Sequence, residues 1–358
     1  MLSFNQPKPI TMENYSSLIL IFLFIASSAI IWIAGTRITN ATDYIATHFK
    51  LGEAFGGLVF LAIVTNLPEI AITVVAATNN AMDMAISNIL GGIAIQTVVL
   101  ILIDVFGVGK SAPLTFKSNS YLLLLEGIAL IFILTIVMLG KQFSPNLIFF
   151  RTTPFEWLIL AVWLGSIYII SKQPVGPNAH PRKAAYPHEF VEEKANKKTA
   201  SFSSIQKAIL VFSICAIATL IAGWALEETG QQLADRFHMG GVLFGATFLA
   251  LSTALPEIST GIASAKIKDY QMAVSDIFGG NAFLPVLVLV ASIISGNAIL
   301  PLLKPSDMYL TGIGILLTGI YLIGMILRNK KQYLRMGIDS VIVFIVYLVS
   351  VIGLLAII

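Results

Sequence analysis

Ten runs of mostly apolar residues, each long enough to cross a bilayer, leave little freedom in what this chain can fold into. They fall at roughly 16–35, 52–77, 82–106, 121–140, 154–171, 206–226, 240–265, 270–295, 308–327 and 337–357. A spanning helix needs about 20 mostly apolar residues, and inside lipid only helices or closed barrels satisfy every backbone group. The expected fold is therefore an all-α membrane protein with ten transmembrane helices, its partner the lipid bilayer. Composition agrees, because only 11% of the 358 residues are charged, against about a quarter in a soluble domain. A water-soluble enzyme, a disordered chain and a nucleic-acid binder are argued against together. The first run does not read as a signal peptide, since fifteen mostly polar residues with one Lys precede it. The single cysteine, Cys215, excludes an intrachain disulfide framework or a thiolate metal site.

The long polar stretch from Lys172 to Lys207 carries Pro174, Pro177, Pro181 and Pro187 and a mixed-charge run from Glu192 to Lys198. It reads as a solvated linker and divides the chain into an N-terminal five-span half, 1–171, a linker, 172–205, and a C-terminal five-span half, 206–358. Counted by side, 17 of the 22 Lys and Arg fall on one face, among them Arg37, Lys110, Lys117, Lys268, Arg328 and Arg335, and 5 on the other, Lys8, Lys141, Arg151, Arg236 and Lys304. The positive-inside rule places the rich face in the cytoplasm. The linker is then cytoplasmic, both termini lie outside, and the location is the plasma (inner) membrane.

The halves share a segment. Residues 61–96 and 249–284 align without gaps at an offset of 188, with 15 of 36 positions identical. Matches of Leu, Ile and Ala are cheap between membrane segments. Thr65/Thr253, Leu67-Pro68-Glu69/Leu255-Pro256-Glu257, Ser87/Ser275 and Gly91-Gly92/Gly279-Gly280 are not, because Pro, Glu and paired Gly are costly in an apolar span. Duplication is the reading. An odd number of spans separates the copies, so they take opposite orientations, the inverted-repeat plan of secondary transporters.

Each copy sets Leu-Pro-Glu deep in a span. Proline removes a backbone donor and frees carbonyls, which must find a partner such as a cation or water. Thr65 and Thr253 precede the glutamates by about one turn and can face the same cavity. Glu69 and Glu257, brought together across a pseudo-twofold axis, would supply two negative charges. Two carboxylates with neutral oxygens suit a hard cation such as Ca2+ or Na+, and intramembrane ionisable residues are usually functional. The second repeated cluster supplies Asn88 in one copy and Asp276 in the other, an amide against an acid, while its glycines permit close helix approach.

These residues resemble the cation/calcium exchanger superfamily, with sodium/calcium exchangers as the nearest branch. Its repeats carry [GS]-T-x-L-P-E followed by G-N-x-x-G-S. Here Val64-Thr65-Asn66-Leu67-Pro68-Glu69 pairs with Ser87-Asn88-Ile89-Leu90-Gly91-Gly92. In the second copy, Ser252-Thr253-Ala254-Leu255-Pro256-Glu257 pairs with Ser275-Asp276-Ile277-Phe278-Gly279-Gly280. The resemblance implies antiport by alternating access, a Ca2+ site centred on Glu69 and Glu257 with Thr65 and Thr253, and Na+ sites beside it. Asn88 and Asp276 join the metal-ligand set, with Gln96 as a further candidate. No cofactor is implied; the cations are cargo. The chain departs from the pattern where the family has serine, at Gly92 and Gly280, and four residues on, where Asn or Asp becomes Gln96 and Leu284. The alternative counter-ion is H+, since clustered carboxylates can exchange protons for metal.

Among other acids, Glu126 in the fourth span reads as a cavity or proton-path residue. Asp104, Glu156 and Asp339, near span ends, read as interfacial, and Glu227-Glu228 as an acidic outer loop. Trp157 and Trp163 are expected in interfacial aromatic belts. No His-Glu-x-x-His and no facing aspartate pair occurs, so the chain is not expected to be an intramembrane enzyme. A cation channel remains a rival to be separated by flux.

Overall fold

The computed structural model describes residues 15–49, 60–79, 81–110, 112–118, 120–143, 151–172 and 202–358. Most of the expected linker, 172–205, and the start of the second expected span lie outside the described residues. The fold is all-α apart from one short hairpin. Helices run α1 (Ser17–His48), α2 (Phe60–Thr65), α3 (Leu67–Asn79), α4 (Met82–Ile103), α5 (Leu114–Lys117), α6 (Tyr121–Lys141) and α7 (Pro154–Lys172). The second half has α8 (Ile205–Arg236), α9 (Gly241–Phe244), α10 (Ala250–Thr253), α11 (Leu255–Lys266), α12 (Tyr270–Phe283), α13 (Val286–Ser295), α14 (Pro305–Leu327) and α15 (Ile338–Ile357). Strands β1 (Gln332–Tyr333) and β2 (Met336–Gly337) pair antiparallel between α14 and α15.

Among the described residues eight helices are long and apolar enough to cross a membrane, and a ninth span forms if Gly241–Thr253 and Leu255–Lys266, bent by 44°, count as one. The repeat found in the sequence recurs as architecture. α1 and α8 are both 32 residues long, and the offset of 188 carries 17–48 onto 205–236. The same offset relates α3 to α11, and α4 to the pair α12–α13, which Pro285 divides.

Burial orders the helices. Of the most apolar window, 78% is buried in α4 and in α12–α13, against 22% in α7 and α15. α4 and α12–α13 thus lie at the centre of the bundle, and α7 and α15 at its outer wall. Leu90, Ile93, Leu130, Leu134, Phe283 and Leu287 fill the largest core cluster. α1 and α8 pack together at its flank, turning Phe22, Ile25, Leu210 and Ile214 outward. Each also presses a glycine onto the proline of the other half. A Cβ on Gly35 would stand 2.7 Å from the Pro256 ring, and one on Gly223 would stand 3.0 Å from Pro68 O.

Contacts along the central helices set their directions. Gly241 and Gly245 abut Met84, near the start of α4, while Gly107, beyond its end, abuts Ala265. The segment Gly241–Lys266 therefore runs alongside α4 in the same sense. The chain then turns back, so α12 starts at the opposite end of the bundle from α4. The two cross where Asn281 Nδ2 donates to Ile93 O at 3.4 Å, two positions related by the same offset of 188.

Several expectations need correction. α1 continues to His48 rather than ending near 35, and α8 to Arg236 rather than 226. Arg37 and Arg236, counted as loop charges, are helical. So are Glu227 and Glu228, which form no loop; Glu227 is buried and Glu228 accepts from Asn79 Nδ2 at 3.1 Å. Trp163 is no belt residue, for it is buried against Phe283 with ring centroids 5.1 Å apart, whereas Trp157 is exposed.

Asp104, Glu156 and Asp339 do lie at or beside helix ends, and they are buried in the protein there. Asp104 accepts from Leu114 N at 2.8 Å, Gly337 N at 2.7 Å and Ser340 Oγ at 2.9 Å. Glu156 accepts from Thr153 N and Ser292 Oγ, both at 2.8 Å. Satisfied in this way, a buried carboxylate ties neighbouring elements together.

Candidate cation site

Two helix breaks build the site. Asn66 interrupts α2 and α3, and Ala254 interrupts α10 and α11, each just before Leu-Pro-Glu. Proline suits the first turn of a helix, where its missing N–H leaves no bond unmade. The glutamate that follows it then lies in that same first turn, where the positive end of the helix dipole favours an anion. A short π-helical segment, Gly245–Leu249, precedes the second break, a local widening often found at functional sites.

Both glutamates are removed from solvent, Glu69 at 1% and Glu257 at 3% exposure. Thr253 faces the Glu69 carboxylate, while its hydroxyl also lies 3.2 Å from Ala250 O. Glu257 is within electrostatic reach of both Glu69 and Asp276. Asp276 in turn accepts from Thr260 Oγ1 at 3.0 Å, one helix turn past Glu257. Three carboxylates from α3, α11 and α12 thus share one region of the core. Among the described residues no positive side chain pairs with any of them. Charges so placed in a low dielectric repel strongly unless a cation stands between them.

Partner atoms are missing where an ion would supply them. Among the described residues, both Glu69 oxygens, Glu257 Oε2 and both amide atoms of Asn88 are buried without a hydrogen bond of good geometry. Native structures seldom leave such atoms unsatisfied. Among the described residues no three His, Cys, Asp or Glu side chains close around one point, so carboxylates alone do not make a cage. The remaining oxygens must come from amides, hydroxyls or freed carbonyls, which fits a hard cation and not zinc or copper.

The structure brings Glu69, Glu257, Thr253 and Asp276 together. Thr65 lies at the first break, with Asn66 Nδ2 at 3.5 Å from its Oγ1. Asn88 and Gln96 are on α4, fully buried, and no hydrogen bond joins Asn88 to either glutamate. The departures from the family pattern fall into two unlike lobes. A Cβ on Gly280 would lie 3.5 Å from Asn66 Nδ2 and 3.8 Å from Gln96 Oε1, so two amides border that glycine. In the other copy, a Cβ on Gly92 would meet, among the described residues, only Leu284 Cδ1, at 3.8 Å. One lobe is polar and the other apolar.

Two features were not anticipated from the sequence, and a third was anticipated in part. Asn281 donates to Ile93 O and Thr97 Oγ1 at the crossing of α4 and α12, but its repeat counterpart is the apolar Ile93, so repetition does not flag it. Glu126, read as a cavity or proton-path residue, does border a cavity of about 30 Å3 beside Trp163, Ser166 and Phe278, and it also accepts from Ser275 Oγ at 2.8 Å. Ala34-Gly35 and Ala222-Gly223 recur at the same offset of 188 outside the aligned segment, a signal that was present in the sequence.

An all-α, multi-pass membrane bundle, folded around buried carboxylates at paired helix breaks, defines a cation transporter. Comparison with known proteins gives the family. A model of the sodium/calcium exchanger protein family matches residues 19–171 and 207–353, and the chain belongs to that family. It is a transmembrane cation/calcium exchanger of the antiporter class, neither its family nor its fold being that of an enzyme.

The inner membrane protein YrbG of Escherichia coli K12 is 24% identical over 268 residues, covering 75% of this chain and 77% of YrbG. Among solved structures, the sodium-calcium exchanger NCX_Mj superposes with a TM-score of 0.59 at 15% identity, covering 94% of this chain and 98% of NCX_Mj. The H+/Ca2+ exchanger CAX gives 0.65 at 13% identity, covering 94% of this chain and 87% of CAX. At such identities these structures share the fold.

Proposed function

We propose that this protein exchanges Ca2+ for Na+ across the plasma membrane by alternating access. Its ten helices form two inverted five-helix repeats, 1–171 and 206–358, joined by a cytoplasmic linker. The observation that carries the reading is the pair Glu69 and Glu257, each buried after a helix-breaking proline at one repeat offset, with carboxylate oxygens left unpartnered. Thr65, Thr253, Asn88 and Asp276 complete the cation site, with Gln96 at its polar lobe. Because the carboxylates repel when no cation lies between them, an empty site resists reorganisation across the apolar barrier, and one cation must replace another. That requirement suppresses leak.

One observation favours H+ as the counter-ion instead. Leu284 against Gly92 removes oxygens from one lobe, and a proton needs a single oxygen where Na+ needs several. Uptake of radioactive Ca2+ into proteoliposomes, driven first by a Na+ gradient and then by a pH gradient, separates the two. Uptake without any opposing gradient would point to a channel, and uptake under neither gradient would sink the Ca2+ reading.

A further inference from the structure

We propose that the hairpin between α14 and α15 is a docking site for an anionic phospholipid headgroup. Between Leu327 and Ile338 the chain reads Arg328-Asn329-Lys330-Lys331-Gln332-Tyr333-Leu334-Arg335-Met336-Gly337, four positive charges and no acid. It joins the ends of two spanning helices, so it lies at the membrane boundary. Among the described residues none of the four cations is in an ion pair. Two of them are held in place by one ring, Arg328 over Phe116 at 5.4 Å and Lys330 at 5.0 Å, an arrangement that orders the charges without neutralising them.

The tip of the same hairpin is apolar. Leu334 and Arg335 both take left-handed backbone angles, φ 51° and 70°, in the two-residue turn. That turn thrusts out Leu334, 87% exposed, beside Tyr333, 57% exposed. Such a tip is costly in water, about 25 cal/mol per Å2 of apolar surface, and is covered where headgroups meet acyl chains. A cluster of cations around an apolar tip complements a lipid phosphate with its adjoining chains. A free phosphate offers nothing to the leucine.

The hairpin is also fixed to the transport core. Gln332 Nε2 donates to Gly109 O at 3.2 Å, and Gly337 N to Asp104 Oδ2 at 2.7 Å. Both acceptors follow α4, the helix that carries Asn88 and Gln96. Lipid bound here would steady the end of that helix.

The test uses the full chain reconstituted in phosphatidylcholine vesicles containing a minority of phosphatidylglycerol, then extracted and weighed by native mass spectrometry. Wild type should retain phosphatidylglycerol in preference to phosphatidylcholine. The triple variant K330Q/K331Q/R335Q should lose retention at least about tenfold, given about 1 kcal/mol per basic residue near a charged surface. Leu334→Asp, which keeps all four cations, should lose it several-fold, and both variants should melt in detergent at the wild-type temperature. The proposal is overturned if either variant retains phosphatidylglycerol as wild type does. It is equally overturned if inorganic phosphate displaces the lipid, which would make the patch a phosphate site.

Discussion

Glu69 and Glu257 are expensive side chains to bury, and the fold keeps them with their oxygens unpartnered. Replacing either by Gln preserves shape while removing the charge that would hold a cation. Glu69→Gln and Glu257→Gln should each lower gradient-driven Ca2+ uptake at least about a hundredfold, the scale of losing a charge-assisted interaction worth about 3 kcal/mol. Melting temperature should hold or rise, because a repulsive pair is relieved. Full exchange in either variant would remove the central site from the mechanism. Asn88→Ala should raise the half-saturating Ca2+ concentration about tenfold, equivalent to about 1.4 kcal/mol, with maximal rate nearly kept; a fall in rate alone would make Asn88 a packing residue. These side chains were legible in the sequence because cost marks them, and repetition separates a costly residue with a job from a costly accident. The contacts of Asn281 and Glu126 were not legible, since each meets its partner across the bundle and the offset of 188 sets apolar Ile93 and Gly314 at their equivalent positions.

Helix ends were read worse than helix centres, for a physical reason. α1 was expected to stop near residue 35 because Arg37, Thr39, Asn40 and Thr42 end the apolar run. The helix continues past that point with its polar side chains satisfied locally, the hydroxyls turning back onto its own carbonyls, Thr39 Oγ1 to Gly35 O at 3.0 Å and Thr42 Oγ1 to Ile38 O at 2.8 Å. α8 likewise runs on through Glu227, which is buried within a helix rather than in a loop. What fixes these two long helices against the site is the contact of Gly35 with Pro256 and of Gly223 with Pro68. A side chain at either position must push its helix off the break that carries a glutamate. Gly35→Leu and Gly223→Leu should therefore cost about 1–3 kcal/mol of stability, read as a lower melting temperature. Each should also slow exchange, while Gly165→Ala, where a Cβ meets nothing within 4 Å, should change neither.

At the scale of the whole molecule, the duplicated segment carries more than the site. The same offset that aligns the two glutamates aligns two 32-residue helices and the crossing of α4 with α12 at Ile93 and Asn281. Because α4 and α12 start from opposite ends of the bundle, the residues that precede them should face opposite sides of the membrane. Lys304, paired with Asp83 just inside α4, belongs to one end; Lys268, two residues before α12, belongs to the other. In a Cys215→Ser background, Lys304→Cys and Lys268→Cys should react with an impermeant maleimide from opposite sides, Lys268→Cys from the cytoplasm. Labelling of both from one side would break the inverted plan and leave the paired glutamates without the symmetry that gives each face equal access to them. Labelling from opposite sides, with Lys304→Cys cytoplasmic, would keep the plan and reverse only the orientation taken from the 17-to-5 division of Lys and Arg.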